Sequence, residues 1–383
     1  MKRRQKAMLI LTVLLVWNLA VSNQSWAAEK KEPLRQERLE RLERAAGFIL
    51  RQQDEHGAIV ESGYINTDSN MLYAMMGLIS AYDLTRNPAY LRAVERGMRW
   101  LMRVQTPEGD WHLSYKRAGE GYVPAVPGSY RQFSAIRGID TTMALFIYVA
   151  REVDRRTDKP ELRQQLRGAA KRAYRFLVRY NLDPADGLYW SSYQLAKESR
   201  ARSIRDYGLY KVKYAADNAE TYAGLVAAAA LFPESPAERQ AEKLKSSFAG
   251  FFDPDRRLYA VMLDGKGKQS LRPSYARWFA NGWSACLIPD TPMFSLALRE
   301  MSGKINKEGA FPQWEGAYTL STLSYLLGLQ AHSLTDAGKE AAERHLFAMQ
   351  QDNGGVADSS ESTSTYVNVA GMFILYLARE MQR

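Results

Sequence analysis

Cysteine is almost missing from this chain of 383 residues, where Cys286 stands alone. No intramolecular disulfide can form, so stability has to come from burial, and a chain of this length can bury well over two thirds of its surface. Histidine is nearly as scarce. His56, His112, His332 and His345 are scattered singly, without the spacing that holds a metal. There is no glycine-rich phosphate loop and no signature of Ser-His-Asp or Cys-His catalysis. No cofactor or metal is therefore expected. Acidic residues are in deficit, 42 against 52 Lys and Arg, a net +10. That balance favours an anionic partner.

The first 27 residues read as a leader and not as part of the fold. Lys2, Arg3, Arg4 and Lys6 give a basic start, Ala7 to Val21 is apolar apart from Thr12, Trp17 and Asn18, and Ser25-Trp26-Ala27 supplies small residues for cleavage after Ala27. The apolar stretch is shorter than the ~20 residues of a spanning helix, so no stable membrane span is expected after cleavage. Without 1–27 the balance is 48 against 42, a net +6 (52 less the four basic residues named). A secreted or cell-wall-associated protein of this charge suits an acidic polysaccharide or anionic wall, and nucleic acid is not expected as a partner.

What the chain has in abundance is a repeat. Six times a helical run ends in a polar residue and then reaches Gly-x-hydrophobic or a variant of it, with landmarks at 57, 109, 187, 257, 309 and 354. A period this long is one helical hairpin plus a variable loop. Amphipathic, charged helices are predicted at Leu34–Gln53, Pro88–Gln105, Lys159–Tyr180, Pro236–Phe252, Met293–Ser302 and Thr335–Gln351. They alternate with helices apolar nearly all round: Ser69–Leu84, Thr141–Val153, Asn218–Phe232, a short one near Asn281–Ile288, Ala317–Ala331 and Tyr366–Met381. Such helices must be surrounded by protein. Six hairpins closing into a ring bury them, which makes the fold all-α: an (α/α)6 toroid over 28–383 as one domain. The long links Thr106–Ile139, Asn181–Ala216 and Asp253–Ala280 all run from outer to inner helices, so they should wall a cleft over the ring's centre.

Asp68, Asp140 and Asp217 each precede or open an inner helix, and Glu315 does the same for the fifth. Asp is a good helix cap in its own right, stabilising by ~1 kcal/mol. Convergence of all these carboxyls on one cavity points instead to acid/base chemistry, because glycosidic cleavage needs one protonated and one ionised carboxyl. Asp68 is the expected general acid and Asp140 its partner, followed by Asp217, with Glu315 or Glu220 as further candidates. Trp190, Tyr210, Trp278, Trp283 and Trp314 offer flat faces for sugar rings. Basic residues interleave with these aromatics in the loops, and Arg137 is the expected contact for anionic substituents.

Arg96-Gly97-Met98-Arg99-Trp100-Leu101, Gln105 and Gly109-Asp110-Trp111 resemble the toroid repeat of six-hairpin glycosidases and also the QW motif of terpene cyclases. The resemblance covers roughly 34 to 383 and specifies fold more than reaction. Terpene cyclases use an acidic Asp-x-Asp-Asp cluster, and Gly138-Ile139-Asp140-Thr141-Thr142 has one acid. Prenyltransferases of this shape need zinc ligands that are missing. In the glycosidases, carboxylates at inner-helix starts carry the chemistry, which Asp68 and Asp140 match in place. The expected function is a secreted glycoside hydrolase acting on an anionic polysaccharide or oligosaccharide. The alternatives are a polysaccharide lyase using Tyr207, Tyr210 or Tyr214, and a non-catalytic polysaccharide-binding or exopolysaccharide-assembly protein.

Overall fold

The computed structural model describes residues 32–273, 276–289, 292–311 and 318–383. The proposed leader, Trp314 and Glu315 lie outside them. Six outer helices are present: α1 (32–52), α3 (Pro88–Val104), α5 (Pro160–Phe176), α7 (Ala237–Ser247), α9 (Pro292–Ser302) and α11 (Lys339–Met349). Six inner ones alternate with them: α2 (Asn70–Thr85), α4 (Asp140–Asp154), α6 (Ala215–Leu231), α8 (Ala276–Leu287), α10 (Thr319–Ala331) and α12 (Val367–Met381). Each inner helix touches the next, and α12 returns to α2, so the architecture is a closed (α/α)6 toroid. None of the described helices is long and apolar enough to cross a membrane.

The inner helices associate in three close pairs because small residues let their backbones meet. A Cβ on Gly224 of α6 would lie 2.6 Å from Ala144 Cα of α4, and one on Gly282 of α8 would lie 2.5 Å from the Ser324 carbonyl carbon of α10. Gly77 and Gly371 join α2 to α12 in the same way. Aromatic and aliphatic side chains fill the spaces between the two rings, forming one continuous core.

The repeat has a physical basis at the turn after each outer helix. All six landmarks have positive φ, five as glycines and one as Arg257 at 55°. Two positions later, Ile59, Trp111, Tyr189, Tyr259, Phe311 and Val356 are all buried. The turns also join neighbouring repeats. Gln105 Nε2 donates to the Gly109 carbonyl at 2.8 Å and to Ala169 of α5 at 3.1 Å, while its oxygen accepts from Arg172 at 2.6 Å. Gln53 does the same for α3, and Gln350 for α1 across the closing seam.

The long links fold into small antiparallel sheets that connect one link to the next. Strand β1 (Ile65–Asn66) precedes α2; β2 (Ser114–Ala118), β3 (Gly121–Ala125) and β4 (Phe133–Arg137) precede α4; β5 (Ser192–Ala196), β6 (Gly208–Tyr210) and β7 (Val212–Tyr214) precede α6. Ahead of α8 come β8 (Phe252–Asp253), β9 (Leu258–Tyr259), β10 (Met262–Asp264) and β11 (Gln269–Ser270). The orders β1-β2-β3, β4-β5-β6 and β11-β10-β7 each bind strands from different links, with β8 paired to β9 within one. The result is a braced rim at the N-terminal ends of the inner helices. Helix α8 starts at Ala276, five residues before the sequence-based start, so Trp278 is a helical residue and not a loop residue.

Candidate active site

The rim encloses a cleft of two connected chambers. The outer chamber, about 490 Å³, is walled by loop residues including Tyr130, Phe133, Ile136, Tyr210 and Tyr214. The inner one, about 310 Å³, descends toward the ring axis past Tyr73, Thr141, Glu220, Tyr318 and Asp358. Asp68, Ala216, Asp217, Ala276 and Phe279 line both. Two carboxyls therefore stand at the junction, beside an aromatic ring.

Neither is a helix cap. The capping positions of α2, α4 and α6 are Ser69, Ile139 and Tyr214, and none makes a side-chain cap bond. The Asp68 backbone N–H donates to Asn66 Oδ1 at 2.9 Å, and its carboxyl accepts a short hydrogen bond from the Thr141 hydroxyl. Burial raises the Asp68 pKa and the Thr141 bond opposes the rise. Asp217 lies in the first turn of α6, where the helix dipole favours the ionised form. Burial outweighs the dipole and, with the charge of Asp68 adding to it, pushes Asp217 up to about 8.

Glu220 follows Asp217 by one turn and so shares its helix face. It accepts from Trp283 Nε1 at 2.6 Å and from the Tyr73 hydroxyl, tying α6 to α8 and α2 beneath the junction. Burial, then the charge of Asp217, raises it well above the usual range. Tyr73 is likewise raised, by burial first and then by Glu220.

Asp140 corrects the expected pairing. It is fully buried and lines neither chamber. One oxygen accepts from the Thr141 N–H at 3.0 Å, and the other has no hydrogen-bond partner among the described residues. Burial first, then Asp217, Asp68 and Glu220, raises its pKa strongly. It lies behind Thr141, outside the described lining of both chambers, within electrostatic reach of Asp217 and Asp68.

The aromatic expectations divide similarly. Tyr210 lines the outer chamber. Trp283 is fully buried and spends its N–H on Glu220. Trp278 is buried and stacks on Phe311 at 5.4 Å, because a helix beginning at Ala276 turns 276, 279 and 280 to the cleft and 278 behind. Trp190 is absent from the described lining and carries the Lys213 ammonium 4.0 Å above its ring. Phe133, Phe279, Tyr318 and Asp358 line the cleft and were not singled out from the sequence. A correct start for α8 was the signal that would have exposed Phe279.

The cationic expectation is also corrected. Arg137 is buried behind the wall, where Nε donates to Asp110 at 2.7 Å and Nη2 to Glu108 at 3.0 Å. Lys213 is held by Asp183 and Asp186, each at 2.6 Å, and Arg117 by Glu55. No Lys or Arg appears among the described residues that line either chamber. These three loop cations are neutralised locally, and the described lining of the cleft is acidic and aromatic. Among the described residues there is no group of three His, Cys, Asp or Glu able to hold a metal ion.

No protein-family model matches the sequence. A stretch of 90 residues is 36% identical to protostadienol synthase A of Arthroderma gypseum, 20% of this chain but only 12% of that protein. The solved structure of cellobiose 2-epimerase from Spirochaeta thermophila DSM 6192 superposes with a TM-score of 0.66 at 13% identity, over 92% of this chain and 98% of that one. A D-mannose isomerase gives 0.62 at 10%, over 91% and 98%, and a polysaccharide lyase 0.59 at 13%, over 91% and 97%. Identities this low speak for architecture alone. By that measure the chain is an (α/α)6 toroid of the form shared by these epimerase, isomerase and lyase structures.

Proposed function

We propose that the cleft is the active site of a carbohydrate-active enzyme, a glycoside hydrolase acting on a neutral saccharide. The observation that carries this is the Asp68–Asp217 junction: two carboxyls lining both chambers, with Asp217 held up to about 8 by burial and by the charge of Asp68. At neutral pH Asp217 keeps its proton, and Asp68, whose charge adds to that rise, is assigned the ionised role, reversing the one first expected for it. A general acid works best with a pKa near the operating pH. Asp217 would protonate the leaving glycosidic oxygen while Asp68, oriented by the Thr141 hydroxyl, attacks the anomeric carbon or takes a proton from water. Tyr130, Phe133, Tyr210 and Phe279 supply faces for sugar rings on either side of the cut. The structures of similar fold named for epimerisation, isomerisation and polysaccharide lysis support a sugar as the ligand class.

Other reactions of this fold find less support. Alkene protonation needs a strong acid, and a carboxyl raised to about 8 is a weak one. A lyase acting on uronates needs a cation at the substrate carboxylate, and the described lining has none. The test is a panel of neutral and acidic oligosaccharides with the wild type, Asp217→Asn, Asp68→Asn and Asp140→Asn. Turnover of a neutral substrate should fall ~10²–10⁴-fold in the first two variants. Activity that survives both, or products bearing ultraviolet-absorbing unsaturated ends, would overturn the assignment. We further propose that 28–383 forms one exported domain, which the N-terminal mass of secreted protein would test.

A further inference from the structure

Away from the cleft, neighbouring outer helices α3 and α5 carry charge of almost one sign. Arg92, Arg96, Arg99 and Arg103 are exposed and spaced by four, three and four residues, so they form one stripe along α3. The only acid of α3, Glu95, is buried and already bound by Thr157 and Lys159. Helix α5 has one acid, Glu161 in its first turn, and presents Arg172 and Arg175 one turn apart. Between the helices lies an open groove of about 490 Å³, lined by Arg99, Met102, Arg103, Gln165, Gly168 and Arg172.

These arginines lack carboxylate partners among the described residues. Arg96, Arg99 and Arg172 find only neutral ones, Gln53, Gln165 and Gln105. On the far side of α5, by contrast, Arg167 and Lys171 are matched by Asp154 and Glu234. Arginines without carboxylate partners therefore gather on the facing sides of α3 and α5, outside the acidic cleft.

We propose that this groove binds an extended uronate-type polysaccharide, its carboxylates facing two arginine rows. Along a helix, steps of three and four residues advance successive side-chain positions by about 4.5 to 6 Å along the axis. That matches a chain bearing one carboxylate on each ring. Arginine forks recognise carboxylates in pairs of hydrogen bonds, and the three cations that line the groove, Arg99, Arg103 and Arg172, are all arginines. A membrane fits less well, because none of the large exposed apolar side chains lies on α3 or α5 to insert. A single-stranded nucleic acid needs aromatic platforms for its bases, and the groove lining has none. The proposal does not depend on the reaction in the cleft: the enzyme would hold one polymer on its flank and cut another sugar at its mouth.

The test measures retention of the full chain on immobilised polygalacturonate as salt rises. One variant combines Arg92→Ser, Arg99→Ser, Arg103→Ser and Arg175→Ser. A control removes the same charge from an exposed loop, as Lys197→Ser, Arg200→Ser, Arg202→Ser and Arg205→Ser. Binding should weaken at least about tenfold, with a shallower salt dependence, in the first variant and less than about twofold in the control. The milder pair Arg99→Ser and Arg103→Ser should lose at least about threefold and guards against a folding defect. Equal losses in both quadruple variants, no binding even at low salt, or tighter retention on inorganic polyphosphate or phosphatidylglycerol vesicles would overturn the proposal.

Discussion

In the proposed reaction Asp217 would couple catalysis to stability through one proton. Its carboxyl is raised to about 8 in the folded chain, by burial and then by Asp68. In the unfolded chain it returns to roughly 3.9. Between those values the folded state holds the proton and the unfolded state has lost it, so stability falls as pH rises through that window. Asp217→Asn removes the proton linkage. It should therefore unfold at a higher temperature than wild type at pH 8, with a smaller difference at pH 5, as thermal unfolding followed by circular dichroism would show. If Asp217 is the acid, as proposed, turnover needs the same protonated form, so the wild-type rate should decline as pH passes upward through about 8. A rate that stays flat to pH 10 would remove Asp217 from the role of acid.

At the scale of the element, the turn after each outer helix is the unit that makes the ring. Gly109 has φ of 111°, and a Cβ there would sit 2.6 Å from the Arg172 carbonyl oxygen of α5. Gly119 also has positive φ, at 61°, yet a Cβ there meets nothing within 4 Å. Gly119→Ala should cost about 1 kcal/mol for backbone conformation alone. Gly109→Ala should cost several kcal/mol, because the turn must also move away from α5. Urea unfolding of the two variants separates those contributions. Gln105→Ala should cost about 1–3 kcal/mol, since it strips partners from the Gly109 and Ala169 carbonyls and from Arg172. The turns were legible because this chemistry is local: a polar residue at the helix end, a left-handed position, a buried side chain two further on. The start of α8 was misplaced although Pro273 stands three residues ahead of Ala276, because one proline marks the end of a strand as readily as the approach to a helix. That misplacement carried Trp278 into the wrong role.

Over the whole molecule, the ring has to close on itself. Arg38 of α1 grips Glu343 of α11 with two hydrogen bonds of 2.9 Å, and Tyr376 of α12 donates to the same carboxylate at 3.2 Å. Lys339 and Gln330 hold Glu380 alongside. Removing Glu343 leaves the half-buried Arg38 guanidinium without its bidentate partner, so Glu343→Ala should destabilise by about 1–3 kcal/mol. Because one continuous core runs round the ring, unfolding monitored by tryptophan fluorescence and by circular dichroism should still coincide. Separate transitions would mean that the hairpins open one at a time.

The amino-acid sequence by itself determined the number of hairpins, the alternation of apolar and charged helices and the face on which the long links gather. Each of these follows from periodicity and turn chemistry within a few residues. It also brought Asp68 and Asp217 forward as members of one acidic group. Only the tertiary structure decided which carboxyls meet at the cleft, that Asp140 is sealed behind the wall, and that Arg137 is engaged by Asp110 and Glu108. Those outcomes depend on burial and on partners drawn from distant segments. Neither is encoded in the spacing of residues along one helix.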